Sequence, residues 1–562
     1  MTSYAEETVH ASPAFDNLLY TNDPPSSSEE RELQGRILAG EARVVVIDNH
    51  IAALKELQAL STQLALIGAE LQELDGERRK VVAHIAEHKR LLSPVRRLPP
   101  EILYEIFLGT IIFPMPEAQP HRDGYSWDFC LQVGGNALWS FELVCKTWHR
   151  AVLGFPELWS NINISLIDEN FSSSNLRYVR QLACQVARSR CRPLSIRICA
   201  GSDQTSSKSL PPQLCVFLFS IQDQIQSLCL YLPAAMFTFV ATLQLFLPIL
   251  RNLTLLSTNG EDFQKLSRAK LFGDTPLLNS LHTVDIRSVV SAIDLPYHQI
   301  TRYSTYHVFH RYCNPGPATS DILGVLAKLE NLEECDLRCE LRSTQLEEVI
   351  PRTCPKLQTL TLSSWAYVYP RSVLAQLLDN LVIPRVSALK VECCVDEGHK
   401  RDTEKTFTAI WGIIRRSQSP LTIFHFTHGS IYETDLLGFF RSASSTLREV
   451  KLLDVGPIAL TDGILAPLVI SDADADNVLL PRLHTLHISG KMEFDANLFV
   501  EMVVSRWTCE LRSFQRLRTI QLCRVFDSNN KDREIGEISR ALVLTKLEKY
   551  STEGLVFSYR IL

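Results

Sequence analysis

Leu357-Gln358-Thr359-Leu360-Thr361-Leu362 decides the fold of this chain, because its spacing, L-x-x-L-x-L with other apolar residues allowed, keeps returning from residue 191 onward. The last two apolar positions are two apart and face one side of a short strand, while the first packs the turn before it. The pattern reads at Cys191/Leu194/Ile196, Ile225/Leu228/Leu230, Leu250/Leu253/Leu255, Leu281/Val284/Ile286 and Leu332/Cys335/Leu337. After Leu357 it continues at Val386/Leu389/Val391, Leu421/Phe424/Phe426, Leu447/Val450/Leu452, Leu483/Leu486/Ile488 and Leu517/Ile520/Leu522. The longest interval, between Leu281 and Leu332, has room for a degenerate unit around Ile300 and Tyr303.

Proline stands just ahead of several of these strands (Pro355, Pro384, Pro420, Pro481), where no ladder partner is needed. Helix-like stretches such as Val373-Leu374-Ala375-Gln376-Leu377-Leu378 lie between them. A strand-plus-helix unit cannot bury its own apolar face, so neighbouring units must stack. The expected fold class is therefore α/β: an irregular leucine-rich-repeat solenoid, or horseshoe, over residues 175–562 with a parallel inner sheet. Residues between the inward positions would line its concave face. Thr361, Lys390, His425, Lys451, His487 and Gln521 are the candidate partner-binding residues there.

Upstream lie two short patches, Leu98-Pro99-Pro100-Glu101-Ile102-Leu103 and Leu143-Val144-Cys145-Lys146-Thr147-Trp148. Pro100 suits the first turn of a helix and Glu101 favours its dipole. Ile102, Leu103, Ile106 and Phe107 are expected on one side of that helix, and a second helix is expected over 138–153. Ile106, Phe107, Phe141 and Cys145 are assigned to the module's own core. Leu98, Pro99, Glu101, Ile102, Leu103, Val144 and Trp148 are the candidate docking residues of a small helical module over residues 93–160.

Between Leu57 and Leu92 apolar residues fall at alternating spacings of three and four, the a/d seam of a coiled coil. Residues 46–92 thus read as one long coiled-coil helix, its seam expected to pair with a second copy as a homodimer rather than fold back on its own chain. Residues 1–45, with Pro24-Pro25-Ser26-Ser27-Ser28-Glu29-Glu30, read as a disordered tail.

Composition narrows the function classes. A net charge of -6 argues against general nucleic-acid binding. The 15 cysteines form no C-x-x-C pair, which suits reduced thiols in a cytoplasmic or nuclear protein. The uncharged stretch 224–250 is long enough for a bilayer, yet Pro233 and Pro248 break it and it keeps the repeat register, so no membrane span is expected. No phosphate-binding, nucleophile-elbow or H-E-x-x-H motif occurs, so no catalytic residue, cofactor or metal is expected. Ser471-Asp472-Ala473-Asp474-Ala475-Asp476-Asn477 starts like a calcium loop, but the sixth-position glycine is missing and Leu483 stands where the bidentate glutamate belongs. It reads as an acidic loop.

The residues Leu92-Ser93-Pro94, Leu98 through Phe107, Val144-Cys145-Lys146-Thr147-Trp148 and Pro156-Glu157-Leu158-Trp159 resemble the F-box-like family, in particular the type abundant in mushroom-forming fungi. A preceding coiled coil and a following leucine-rich array are typical of that type. The insert at about residues 113–137 is longer than in a compact F-box. The resemblance implies a non-catalytic, substrate-recruiting adaptor of a Skp-cullin-F-box ubiquitin ligase. The helical module would dock the Skp adaptor and thereby the cullin ligase core, and the repeats would hold a protein substrate. The alternative is a coiled-coil and repeat scaffold that does not engage the ligase.

Overall fold

In a computed structural model the described residues are 24–58, 64–111, 119–120, 127–128, 137–166, 176–200, 209–257, 269–272, 274–286, 293–306, 317–338, 351–366, 373–395, 400–470, 478–509, 514–525 and 530–561. The acidic loop 471–477, the first 23 residues and most of the insert before residue 137 lie outside them. Two compact units divide the chain. One falls within Met1–Met115, Gln132–Ile162 and Leu182–Arg192, the other within Pro116–Leu131, Asn163–Gln181 and Pro193–Leu562.

The first unit begins with two antiparallel helices, α1 (Ser27–Gln58) and α2 (Leu64–Leu91). The expected single helix over 46–92 is thus two, and the presumed tail is helical from Ser27. Leu33, Ile37, Ile47, Ile51 and Leu54 are buried, and α1 and α2 pack closely. Arg43 pairs with Glu77, Arg78 with Asp48, and Lys89 with Glu41 at 2.6 Å. The seam of α2 therefore packs within its own chain. Glycine at position 40 belongs to that packing, because a Cβ there would meet Ile85 Cγ1 at 2.9 Å.

Three short helices follow: α3 (Pro100–Ile111), α4 (Ala137–Glu142) and α5 (Lys146–Gly154). The expected second helix is split after Glu142, and Cys145 is the N-cap of α5, its Sγ accepting from the Trp148 N–H at 3.4 Å. Leu103, Phe107, Leu138, Val152, Leu158 and Trp159 make the core of this module. Arg188 closes it. Its guanidinium lies 4.5 Å from the ring centres of both Trp139 and Trp159 and forks onto Glu142 at 2.7 and 3.0 Å. Cation–π contact and a bidentate ion pair act on one side chain here.

The second unit is mixed α/β and built on a large parallel sheet. Its strands are β1 (Asn161–Ser165), β2 (Leu194–Cys199), β3 (Ile225–Leu232), β4 (Asn252–Ser257), β5 (Ser280–Val284), β6 (Arg302–Tyr306) and β7 (Glu334–Arg338). β8 (Thr359–Ala366), β9 (Ala388–Val395), β10 (Ile423–Thr427), β11 (Glu449–Thr461), β12 (Thr485–Glu493), β13 (Thr519–Arg524) and β14 (Val556–Ile561) complete the path. Their order across the sheet is their order along the chain. From β2 to β14 every ladder is parallel.

Leu228/Leu230, Leu253/Leu255, Leu360/Leu362, Leu389/Val391 and Phe424/Phe426 are buried at matching registers, as the repeat spacing requires. Two units are shifted from the sequence reading. In β2 the inward pair is Ile196/Ile198, aligned with Leu228/Leu230. In β5 it is Leu281/Thr283, aligned with Leu253/Leu255, because a threonine takes a seat that is apolar in most of the other strands. The long interval before Leu332 holds β6, whose Tyr303 and Thr305 continue the row. Helices fill most of the intervals between strands. Among them are α6 (Leu176–Arg188), α7 (Pro212–Ile221), α8 (Ala234–Leu243), α9 (Thr319–Leu326), α10 (Val373–Asp379), α11 (Lys400–Ser417) and α12 (Glu433–Ala443). Phe407 of α11 and Phe439 of α12 have ring centres 5.7 Å apart, and Phe439 lies 4.5 Å from Phe424, so helices cover the inward face of β10.

No helix among the described residues is long and apolar enough to cross a membrane; the uncharged stretch 224–250 forms β3 and α8 instead.

Candidate functional site

Two surfaces carry the candidate residues, one in each unit. On α3, residues four apart share a face. Leu103 and Phe107 form the buried stripe at 1% and 0% exposure. Ile102 and Ile106 form a second apolar stripe, each 46% exposed. This corrects two assignments. Leu103, read as a docking residue, is core. Ile106, read as core, faces water. The four apolar residues do not share one side, since consecutive positions on a helix point about 100° apart.

Pro99 and Glu101 are exposed, and Leu98 is half-buried against the module core. Leu143 and Val144, in the turn between α4 and α5, are 85% and 46% exposed. Trp148 is half-buried, its ring edge-on to Phe107 at 4.9 Å and to Phe141 at 5.7 Å. Val144 and Trp148 line a groove of about 720 Å³ whose other wall holds Val95, Lys89, Arg90 and Arg96. The surface is thus apolar at its centre with a cationic flank. The sequence reading missed Ile106, Leu143 and Val95; the i, i+4 pair Ile102/Ile106 was the signal available for the first.

The second surface is the sheet face opposite Phe424 and Phe426. Thr361, Lys390, His425, Lys451, His487 and Gln521 all occupy one register across β8 to β13. With strands about 4.8 Å apart, the row is about 24 Å long. The structure brings all six together. Lys390 and Gln521 are exposed and the other four half-buried.

Glu449 organises the middle of this row. His425 Nε2 lies 2.8 Å from its carboxylate, and Lys451 Nζ donates to it at 2.7 Å. Partial burial works to raise the Glu449 carboxyl, but the hydrogen bonds from Lys451 and His425 outweigh it and hold it below its ordinary range. Burial lowers His425, and Lys451 and Lys390 add to that against the opposing pull of Glu449. Burial and Lys451 likewise lower His487, while Asp454 opposes them. Both imidazoles are therefore neutral at pH 7, leaving the lysines as the row's cations. Among the described residues no group of three or more His, Cys, Asp or Glu side chains is placed to hold a metal.

Compared with known families and curated proteins, the chain matches no family model and no curated relative.

Proposed function

We propose that this chain is a non-catalytic adaptor that recruits a protein substrate to a Skp-cullin-F-box ubiquitin ligase. The helical module docks the Skp adaptor, and the parallel sheet, as the inner face of a leucine-rich-repeat solenoid, holds the substrate. One observation carries the reading: α3 spends one apolar stripe on its own core and presents a second, Ile102 and Ile106, to water. Leu143 and Val144 add to the exposed apolar surface of that small module. Several large apolar side chains left exposed on so small a module favour a protein-binding site. Pro99, Glu101, Ile102, Val144 and Trp148 are the contacts in this reading, and Leu98 and Leu103 support them from behind.

The test is calorimetry of the full-length chain against a fungal Skp adaptor. The wild type is expected to bind at micromolar affinity or tighter. Ile102→Asp combined with Val144→Asp is expected to weaken binding at least about tenfold, roughly 1.4 kcal/mol. Both sites are exposed, so the fold survives. A folded chain that does not bind the adaptor sinks the proposal.

The register-matched row from Thr361 to Gln521 is the substrate surface in this reading. Lys390→Glu with Lys451→Glu is expected to abolish substrate capture while leaving Skp binding unchanged.

A further inference from the structure

Helix α1 uses only part of its apolar surface against α2. Leu33, Ile37, Ile47, Ile51 and Leu54 face inward. Ala39, Ala42, Val46, Asn49 and Ala53 recur at spacings of three and four on another side of the same helix, and all five are exposed, Val46 by 67%. Leu38 and Val45, beside them, are 69% and 59% exposed. This is a second heptad stripe, small and apolar, with one asparagine of the kind that sets register in helix pairs. A helix face meant for water carries charge instead.

Alongside this stripe runs a groove of about 1000 Å³ between α1 and α2. Ala39, Ala42 and Val46 are on one wall, and Glu70, Glu73 and Glu77 are on the other. Its charges are divided along its length. Arg36 lies at the end where Leu33 meets Leu91, with His84 and His88 also in the lining; Arg43, at the middle, is neutralised by its pairing with Glu77; and Glu70 and Glu73, with His50, lie at the end toward Gln58 and Leu64. Arg36 pairs with Glu32 at 2.8 Å in an exposed i, i+4 bridge, a contact weak enough to be exchanged.

We propose that the groove receives helix α1 of a second copy of this chain, the two copies being related by a two-fold axis with their α1 helices antiparallel. The charge division selects both the occupant and its direction. Antiparallel pairing brings the arginine end of one groove to the glutamate end of the other, twice over, as a self-complementary interface must. Parallel pairing sets like charge against like. The alanines let the two backbones approach closely, and Val46 fills the centre. The axis falls near the midpoint of the groove, at the level of Ala42 and Arg43.

The test is sedimentation velocity of the full-length chain from low to high micromolar concentration. A dimer is expected, and Val46→Glu is expected to make it monomeric with an unchanged far-UV circular-dichroism spectrum. Glu73→Arg and Arg36→Glu should each weaken the dimer about tenfold or more, and the two together should restore it. Ala42→Cys should form an interchain disulfide with itself under mild oxidation. Ala53→Cys should not, because the two-fold separates its copies by about 30 Å at 1.5 Å per residue. A wild-type chain that stays monomeric overturns the proposal. So does a dimer indifferent to Val46→Glu, or cross-linking at Ala53 equal to that at Ala42.

Discussion

His282 stands on β5 in the same register as Thr254 and Ser304 and is only 2% exposed. Its Nδ1 meets Ser304 Oγ, and its ring lies edge-on to Tyr306 with centres 4.8 Å apart. Burial, helped by the charge of Arg338, lowers its pKa to about 4. The folded value is below the unfolded one, so the unfolded chain takes the proton first as pH falls. Stability is then complete above the unfolded pKa of about 6.5 and is lost between there and about 4, by about 3 kcal/mol in total. His282→Gln is expected to flatten that part of the curve, read as urea midpoints at about pH 5 and about pH 7.5. An unchanged slope in the variant would assign the pH dependence elsewhere. Arg506 shows the other way to carry a buried cation: at 1% exposure it donates to the carbonyls of Leu468, Leu479 and Leu480.

At the scale of single elements, the strands were legible, and of the helical module the helix start at Pro100 and the core seat of Phe107 were, but not which other face of that helix meets water, for a physical reason. A strand has a period of two, so each inward pair leaves one residue pointing the other way. That is why the row from Thr361 to Gln521 is legible in the sequence alone. Where Thr283 and Thr305 occupy inward seats, the apolar signal weakens: the register slips in β5, and β6 shows only as the degenerate unit around Ile300 and Tyr303. Helix α3 defeats the same approach because it is apolar on two faces, and composition does not say which face meets water. The N-terminal part of α1 was missed because Gly40 interrupts the seam that Leu33 and Ile37 begin and the Ser/Glu-rich residues before it read as a tail.

Gly490 on β12 is a backbone requirement of another sort. Its φ is +135°, and a Cβ there would lie 2.9 Å from the Val455 carbonyl oxygen of the adjoining strand. Backbone at that distance cannot give way as a side chain can. Gly490→Ala is expected to cost about 2–3 kcal/mol in chemical unfolding, from left-handed strain and the close approach together. A cost within the noise of the measurement would mean that β11 and β12 separate at this point without penalty.

For the whole molecule, the governing fact is that strand order is chain order. Each unit of the sheet touches the units before and after it in sequence, so stability is carried by nearest neighbours. Phe424→Ala removes a fully buried ring from the cluster with Phe407, Phe426 and Phe439 and is expected to cost about 3–5 kcal/mol locally. Hydrogen exchange followed by mass spectrometry should speed up in β9 to β11 and stay unchanged in β3 to β5. Uniform acceleration along the sheet would instead describe one cooperative block.

The same order has a mechanical consequence. On the path of the described strands none lies between two that come later in sequence, so tension on the C-terminus first loads β14 against its ladder to β13 and against the helix Asn530–Thr552, whose Arg540 donates to the Tyr559 carbonyl, and reaches β12 after them. The sheet comes apart as a zip does, tooth by tooth from a pulled end. A force-extension trace would show a series of small, even ruptures instead of one large one.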